Sequence, residues 1–156
     1  MISCATRISP QPEHFAPSVR PVVVHVGHCS SGRGLEAFLT LDKQLFQRMI
    51  VASGMFEDPD TVATLEADGI RIHRGYLECV EEIYQLADVY LFPTRSNEFV
   101  ISIPLSVMEA LACGTPVVGC RAFENLQHIG SADAAVTLVD SADEWPEVVR
   151  RAAGRK

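Results

Sequence analysis

The stretch Val22-Val-Val-His-Val-Gly27 is a nearly continuous apolar run that stops at a glycine. Runs of this kind are typical of parallel strands covered on both faces, since they lack the alternation of a half-exposed strand. Further runs of similar character follow along the chain, and the predicted strands are therefore residues 22–26, 49–52, 70–74, 89–92, 116–118 and 135–139.

Segments with apolar residues at helical spacing separate these strands. The clearest has Val80, Ile83, Tyr84 and Ala87 at positions i, i+3, i+4 and i+7. Other helices are predicted over residues 35–46, 58–69, 104–112 and 141–152. The alternation predicts an α/β fold: a single, open, doubly wound parallel sheet of the Rossmann-like type, about six strands with helices on both faces.

Length and composition set the limits of the molecule. A chain of 156 residues fits one domain, predicted over residues 22–156. Residues 1–21 hold four of the nine prolines and no apolar periodicity, which predicts a flexible tail or severed interdomain linker. The net charge of −7 argues against a nucleic-acid partner, and no apolar stretch is long enough for a transmembrane segment.

The five cysteines form no Cys-x-x-Cys pair, and a chain of this size does not need disulfides. They are interpreted as reduced thiols, which indicates a cytoplasmic protein. Any contact with a membrane would be made through a partner. His25 lies in an apolar strand, and no second Cys/His cluster accompanies His28 and Cys29. A core histidine is therefore favoured over a metal ligand, and no metal is expected.

In a doubly wound fold the ligand binds outside the carboxyl ends of the strands. The first loop there is Gly27-His-Cys-Ser-Ser-Gly-Arg-Gly34, which leads into a predicted helix. Its glycines, the helix start and Arg33 suit a phosphate. The loop has neither the Walker A pattern nor GxGxxG, and locally a polar turn before a helix explains it equally well.

Glu109 lies on the predicted helix 104–112 among apolar neighbours. A carboxylate at the edge of a buried face needs a partner. Two vicinal hydroxyls, as on ribose, could donate to it, and so could a nearby Arg or Lys in an ion pair. The residues alone leave both alternatives open.

Taken in order, these segments resemble the C-terminal, donor-binding domain of a GT-B glycosyltransferase, most closely family 4 of the retaining enzymes. The similarity covers about residues 14–150 and rests on ordered motifs, which are Phe15-Ala-Pro17, Val24-His-Val-Gly27, Arg33-Gly34-Leu35, Gly75-Tyr76, Ala87-Asp-Val89, Phe92-Pro-Thr94 and Pro104-Leu-Ser-Val-Met-Glu109-Ala-Leu-Ala-Cys-Gly114-Thr-Pro-Val-Val118.

The resemblance implies a domain that binds a nucleoside-diphosphate sugar for hexosyl transfer to a glycan, lipid or other acceptor, as in glycan biosynthesis. Arg33 takes the place of the usual lysine on the diphosphate, His28 that of the usual arginine beside Gly27, and Glu109 that of the ribose-binding acid. The segment Ile72-His73-Arg74 would line the base. No cofactor is implied besides the donor substrate, because Arg33 can stabilise the leaving group without a metal.

The resemblance also shows departures from the family pattern. The acid that holds the donor sugar normally lies eight residues before the ribose-binding acid, where this chain has Ile101. Glu98, eleven residues before Glu109, either serves from a longer loop as a catalytic residue with Arg33, or the role is missing. The expected acceptor-binding domain is not in these residues, so another domain or a second chain would supply it.

The alternative function is a non-catalytic module that binds nucleotides or partners only. Another doubly wound class, a dehydrogenase or a phosphoacceptor regulator, is disfavoured. The chain has no GxGxxG, and no acidic cluster follows the first strand.

Overall fold

Six parallel strands form one sheet in a computed structural model of the protein, which describes residues 20–100, 103–132 and 134–156. The strand order is β3-β2-β1-β4-β5-β6, and every neighbouring pair is parallel. The strands are β1 (Val22–Cys29), β2 (Gln47–Glu57), β3 (Arg71–Arg74), β4 (Val89–Phe92), β5 (Val117–Cys120) and β6 (Val136–Val139). The predicted doubly wound, Rossmann-like α/β fold is confirmed.

Within the described ranges, five α-helices cover the two faces of this sheet. They are α1 (Pro59–Ala67), α2 (Val80–Leu86), α3 (Leu105–Ala112), α4 (Glu124–Ala132) and α5 (Trp145–Ala153). Helices α1 and α5 pack with Val23 and Ile50 in one buried cluster, whereas α2 and α3 pack with Val24 and Tyr90 in another. Both faces of the central strands are therefore buried, as their unbroken apolar runs predict.

The strand order reverses between β1 and β4. Strand β1 pairs with β2 on one side and with β4 on the other, so the connections leave in opposite directions at this point. A crevice opens there outside the carboxyl ends of the two strands. The fold thus places the loop after β1 and the loop after β4 side by side.

The helix predicted over residues 35–46 is shorter and of another type. Residues Ser31–Arg33 and Leu35–Thr40 form two 3₁₀ helices. The buried Arg48 side chain donates to the carbonyl oxygens of Phe38 and Leu41, at 3.1 and 2.9 Å. These bonds occupy the carbonyls that a longer helix would use. A six-residue 3₁₀ helix also has only a small dipole, so the expected helix-start contribution to phosphate binding is weak.

Two other boundaries differ from the sequence expectation. Strand β2 continues to Glu57, although residues 53–56 are expected in a loop. Its partners jump from Gly27↔Ala52 to Cys29↔Glu57, so these four residues bulge outward between two paired positions. Helix α4, which the sequence analysis does not assign, connects β5 to β6.

The described cysteines differ in oxidation state. Cys29, Cys113 and Cys120 are free thiols. Cys79 is disulfide-bonded, so the prediction of reduced thiols throughout is wrong at this position. The predicted tail, residues 1–21, lies outside the described residues except for Arg20 and Pro21, and the motif Phe15-Ala-Pro17 lies outside them altogether.

Candidate functional site

A cavity of about 560 Å³ lies at the carboxyl end of β1. Four of the predicted site residues, Gly27, His28, Arg33 and Glu98, line it together. The remaining lining residues are Val26, Val100, Pro104, Leu105 and Ser106. The cavity therefore has the phosphate-loop candidate on one wall and the start of α3 with its preceding segment on the other.

Arg33 is fixed by the backbone around it. The Thr94 hydroxyl donates to the Arg33 carbonyl oxygen at 3.3 Å, and the Arg33 amide donates to the Ser30 carbonyl oxygen at 3.0 Å. The next residue, Gly34, has φ +69° and packs against the Pro93 carbonyl oxygen so closely that a Cβ would collide with it. A glycine is required here for both reasons, and the loop after β4 thereby holds the loop after β1.

The Arg33 side chain is a buried cation without an anionic neighbour in the part of the chain that the structure describes. Arg33 is 9% exposed. Among the residues that the structure describes, no carboxylate lies within ion-pair distance of it, and its guanidinium donates no hydrogen bond to another of them. Desolvation by burial lowers its pKa. A buried charge of this kind is costly unless something pairs with it, which suits a site for an anion.

His28 is oriented by the bulge of β2. Its Nδ1 atom lies 2.7 Å from Ser53 Oγ, and its ring meets the Phe56 ring edge-on with centroids 5.2 Å apart. Burial, and then the positive charge of Arg33, lower the pKa of His28. At neutral pH the His28 imidazole is therefore protonated to a smaller extent than a free histidine.

His25 is a buried core histidine, as expected. Its Nδ1–H donates to the Leu91 carbonyl oxygen at 2.9 Å, and its ring stacks on Tyr90. Burial lowers its pKa to about 4, so the ring is neutral at physiological pH. Its Nε2 atom is buried without a partner and lies below Gly27, where a Cβ would approach it to 3.1 Å. Gly27 thus gives the backbone room to pass over the imidazole.

Glu109 lies one turn after Ser106 on α3. Its carboxylate accepts a hydrogen bond from the Tyr84 hydroxyl at 2.9 Å. Burial raises the pKa of Tyr84, so the phenol stays protonated and can donate. No described Arg or Lys forms an ion pair with Glu109. Of the two alternatives that the sequence left open, the ion pair is therefore not what these residues form.

Glu109 is connected to the cavity through two tyrosines. Its hydrogen-bond partner Tyr84 meets the ring of Tyr90 edge-on with centroids 5.5 Å apart, and the Tyr90 hydroxyl lies 2.8 Å from Ser106 Oγ on the cavity lining. Burial raises the pKa of Tyr90, while the positive charge of Arg33 lowers it and the negative charge of Glu109 raises it. Glu109 itself is not among the residues that line the cavity.

The predicted base-binding residues lie apart from this cavity. Arg74, at the end of β3, forms ion pairs with Glu57 and Glu66 at 3.1 and 3.0 Å. His73 is exposed on the same strand, and neither residue is among those that line the cavity. Their contact with a base stays a prediction.

Three residues of the site were missed by the sequence analysis: Tyr84, Tyr90 and Ser106. The available signal was weak, since each is a hydroxyl-bearing residue within an otherwise apolar helix or strand. Buried tyrosines usually find a partner for the hydroxyl, but only the packing of α2 and β4 against α3 identifies that partner.

The fold is a doubly wound α/β domain with a crevice at the carboxyl end of β1 that Arg33 lines. The family model for glycosyl transferases group 1 matches residues 20–153. The chain belongs to this family. The resemblance to the C-terminal domain of a GT-B glycosyltransferase is thereby confirmed.

Solved structures share the fold at low sequence identity. An α,α-trehalose-phosphate synthase (UDP-forming) from Burkholderia xenovorans, in complex with glucose-6-phosphate, has a TM-score of 0.67 at 16% identity over 88% of this chain. A glycosyltransferase from Rickettsia africae ESF-5 has a TM-score of 0.71 at 13% identity over 91% of it. OtsA in its apo form has a TM-score of 0.67 at 15% identity over 97% of it.

The matches cover only part of those structures. The chain spans 36%, 40% and 40% of the three, respectively. No curated protein sequence matches the chain. Within the described ranges, no helix combines the length and apolarity needed to cross a membrane, and no three His, Cys, Asp or Glu side chains converge as a metal site would require.

Proposed function

We propose that this domain binds a nucleoside-diphosphate sugar and is the donor half of a retaining glycosyltransferase that transfers a hexosyl group. The observation that carries the proposal is Arg33, a buried guanidinium without an anionic partner among the described residues, on the wall of a cavity of about 560 Å³. A diphosphate supplies the missing negative charge and accepts the planar, bidentate hydrogen bonds that arginine offers.

The chemistry follows from where charge develops. When the bond between the sugar C1 and the diphosphate oxygen breaks, that oxygen gains negative charge. Arg33 and a protonated His28 lie on the cavity wall, where they would stabilise such charge. Glu98 lines the same cavity, and its carboxylate would accept hydrogen bonds from hydroxyls of the donor sugar.

Glu109 is the proposed ribose anchor. One carboxylate oxygen is held by Tyr84 at 2.9 Å, which orients the group while other lone pairs stay available for the two vicinal hydroxyls. Ile72, His73 and Arg74 remain the proposed contacts to the base, although the ion pairs of Arg74 with Glu57 and Glu66 would have to loosen for it to take part.

The wider setting is also a proposal. Another domain or a second chain would bind the acceptor, whether glycan, lipid or other. No cofactor is required, since Arg33 can do the work of a metal at the leaving group. A cytoplasmic location agrees with the free thiols at Cys29, Cys113 and Cys120, and the disulfide at Cys79 counts against it.

Calorimetric titration with UDP-, GDP- and ADP-glucose tests the proposal. We expect the wild-type protein to bind at least one donor, and Arg33→Ala to lose roughly tenfold or more in affinity, as for a hydrogen bond to a charged group. Arg121→Ala, which removes an exposed arginine paired with Asp140, is the control and should bind normally. No binding of any donor at millimolar concentration would overturn the proposal.

The second candidate is a non-catalytic nucleotide-binding module. It is favoured by Ile101 at the position of the sugar-holding acid and by Glu98 being displaced along the chain. Slow hydrolysis of the bound donor that disappears in Glu98→Gln would favour the enzyme. Tight donor binding without hydrolysis would favour the module. Transfer that appears only when a second polypeptide is present would indicate a split enzyme, of which this chain is the donor half.

A further inference from the structure

The Tyr90 hydroxyl connects the two walls of the cavity. It lies 3.2 Å from the Val26 carbonyl oxygen at the end of β1 and 2.8 Å from Ser106 Oγ in the first turn of α3. Val26 and Ser106 both line the cavity that holds Arg33. One buried phenol thus bonds to the phosphate-loop strand and to the facing helix.

The ring of Tyr90 has little freedom to move. Tyr90 is fully buried, His25 stacks on it with centroids 6.0 Å apart, and Tyr84 meets it edge-on at 5.5 Å. Its hydroxyl therefore stays at a fixed place between β1 and α3. Ser106, half-buried at the rim, takes its side-chain orientation from that hydroxyl.

The hydroxyls of Tyr90 and Ser106 can share their protons in two ways. Tyr90 has one hydroxyl proton and lies within hydrogen-bond distance of the Val26 carbonyl oxygen, which can only accept, and of Ser106 Oγ, which is nearer. A phosphate oxygen in the cavity also only accepts, so it favours the arrangement in which Tyr90 donates to Ser106 and the serine proton points into the cavity. Burial raises the pKa of Tyr90, which keeps that phenol proton in place.

We propose that Ser106 Oγ–H donates a hydrogen bond to a phosphate oxygen of the ligand, on the opposite wall from Arg33, and that Tyr90 positions it. The inference rests on the proposed function, since it names a further residue for the same diphosphate. A guanidinium on one side and a hydroxyl on the other would clamp the anion, because hydrogen bonds from two sides restrict its orientation more than bonds from one side do.

The test uses inorganic pyrophosphate, which has neither base nor sugar, as the calorimetric probe of wild-type and variant proteins. Ser106→Ala should weaken its binding about tenfold, as for a bond to a charged group. Ser106→Thr, which keeps the hydroxyl, should retain most of the affinity. Ser141→Ala, which removes a serine exposed near α5, is the matched control and should bind like the wild type.

Tyr90→Phe separates positioning from folding. It keeps the ring that packs on His25 and Tyr84 and removes only the hydroxyl. We expect weaker pyrophosphate binding, and no further loss when Tyr90→Phe is combined with Ser106→Ala, because the phenol acts through the serine. Losses that add fully in the double variant would contradict the positioning role. If Tyr90→Phe does not fold, the Ser106 pair alone decides.

The outcomes distinguish this inference from the proposed function. If the wild type binds neither pyrophosphate nor any nucleoside diphosphate, the proposed function fails and the clamp with it. If the wild type binds pyrophosphate and Ser106→Ala binds it equally well, the donor site stands and the Ser106 contact is wrong.

Discussion

Arg33 and Arg48 are both buried, at 9% and 4% exposure, yet their surroundings are opposite. Arg48, near the amino end of β2, donates to the carbonyl oxygens of Phe38 and Leu41 and to the carboxylate and carbonyl of Asp68. Arg33, beyond the carboxyl end of β1, has no such partner among the described residues. Burial alone therefore does not distinguish the two arginines, whereas the presence or absence of a partner among the described residues does.

Removal of Arg48 should have the largest effect on stability. Arg48→Met removes the Arg48 donor from three carbonyl oxygens and from the Asp68 carboxylate, which should cost roughly 3–5 kcal/mol of unfolding free energy. Urea denaturation checks this. Arg71→Met, which removes an exposed arginine from β3, is the control. A loss below about 1 kcal/mol for Arg48→Met would erase the contrast between the two buried arginines.

His25 extends the comparison to a buried group with one partnered and one unpartnered nitrogen. Among the described residues, its Nδ1 has a hydrogen-bond partner and its Nε2 has none. Its pKa is about 4 in the folded protein against 6.5 for a free imidazole, so the unfolded chain binds the proton first as pH falls. The free energy of unfolding should therefore drop by up to about 3 kcal/mol between pH 6.5 and 4 and level off below. His25→Leu should flatten this component, whereas the exposed His73→Gln should not. An unchanged slope in His25→Leu contradicts the assignment.

Glu109 tests whether a charged group with a phenol partner is still free to bind ligand. Glu109→Ala should lose roughly tenfold in affinity for a ribonucleoside diphosphate. It should lose much less for the 2′-deoxy form, which lacks one of the two vicinal hydroxyls. Tyr84→Phe should reduce the same discrimination by a smaller factor. Glu124→Ala, at the start of α4, is the control. Equal losses for both ligands would indicate that Glu109 does not contact the ribose.

Protonation of His28 should have the smallest effect of these, a small change in the affinity for a diphosphate. A bound diphosphate favours the protonated imidazole, so affinity should rise as pH falls through the pKa of His28, which lies below 6.5, and be lost as pH rises. The gain is roughly threefold. His28→Arg should bind more tightly and lack this component. Comparison of the two proteins at each pH removes the titration of the ligand itself. Parallel profiles would show that His28 does not sense the anion.

The sequence predicted the sheet well because each strand is an apolar run with clear boundaries, as Val89–Phe92 shows. It did not predict the early end of the helix after Gly34, since that depends on Arg48, a residue on the following strand. Helix α4 was not predicted from the sequence because half of its surface is polar. In each case a contact or exposure that the tertiary structure creates decided the outcome.

The site divides in the same way. Gly27 and His28 lie at the end of β1 and Arg33 follows it, so their place at one cavity follows from the topology. Glu98 joins them because the loop after β4 lies beside the loop after β1. Ser106, Tyr84 and Tyr90 could not be predicted as a group, since their hydrogen bonds join side chains from three separate elements.

The most direct test of the account is the unfolding free energy of Arg33→Met with and without the nucleoside diphosphate that the wild type binds best. Without ligand, we expect the variant to be as stable as the wild type or slightly more so, because it removes a buried charge that has no anionic partner among the described residues. With ligand at saturating concentration, the wild type should gain stability in proportion to the logarithm of ligand concentration, and the variant should gain much less. A variant that is destabilised like Arg48→Met, or that the ligand stabilises as much as the wild type, would contradict the claim that Arg33 is held in reserve for an anion.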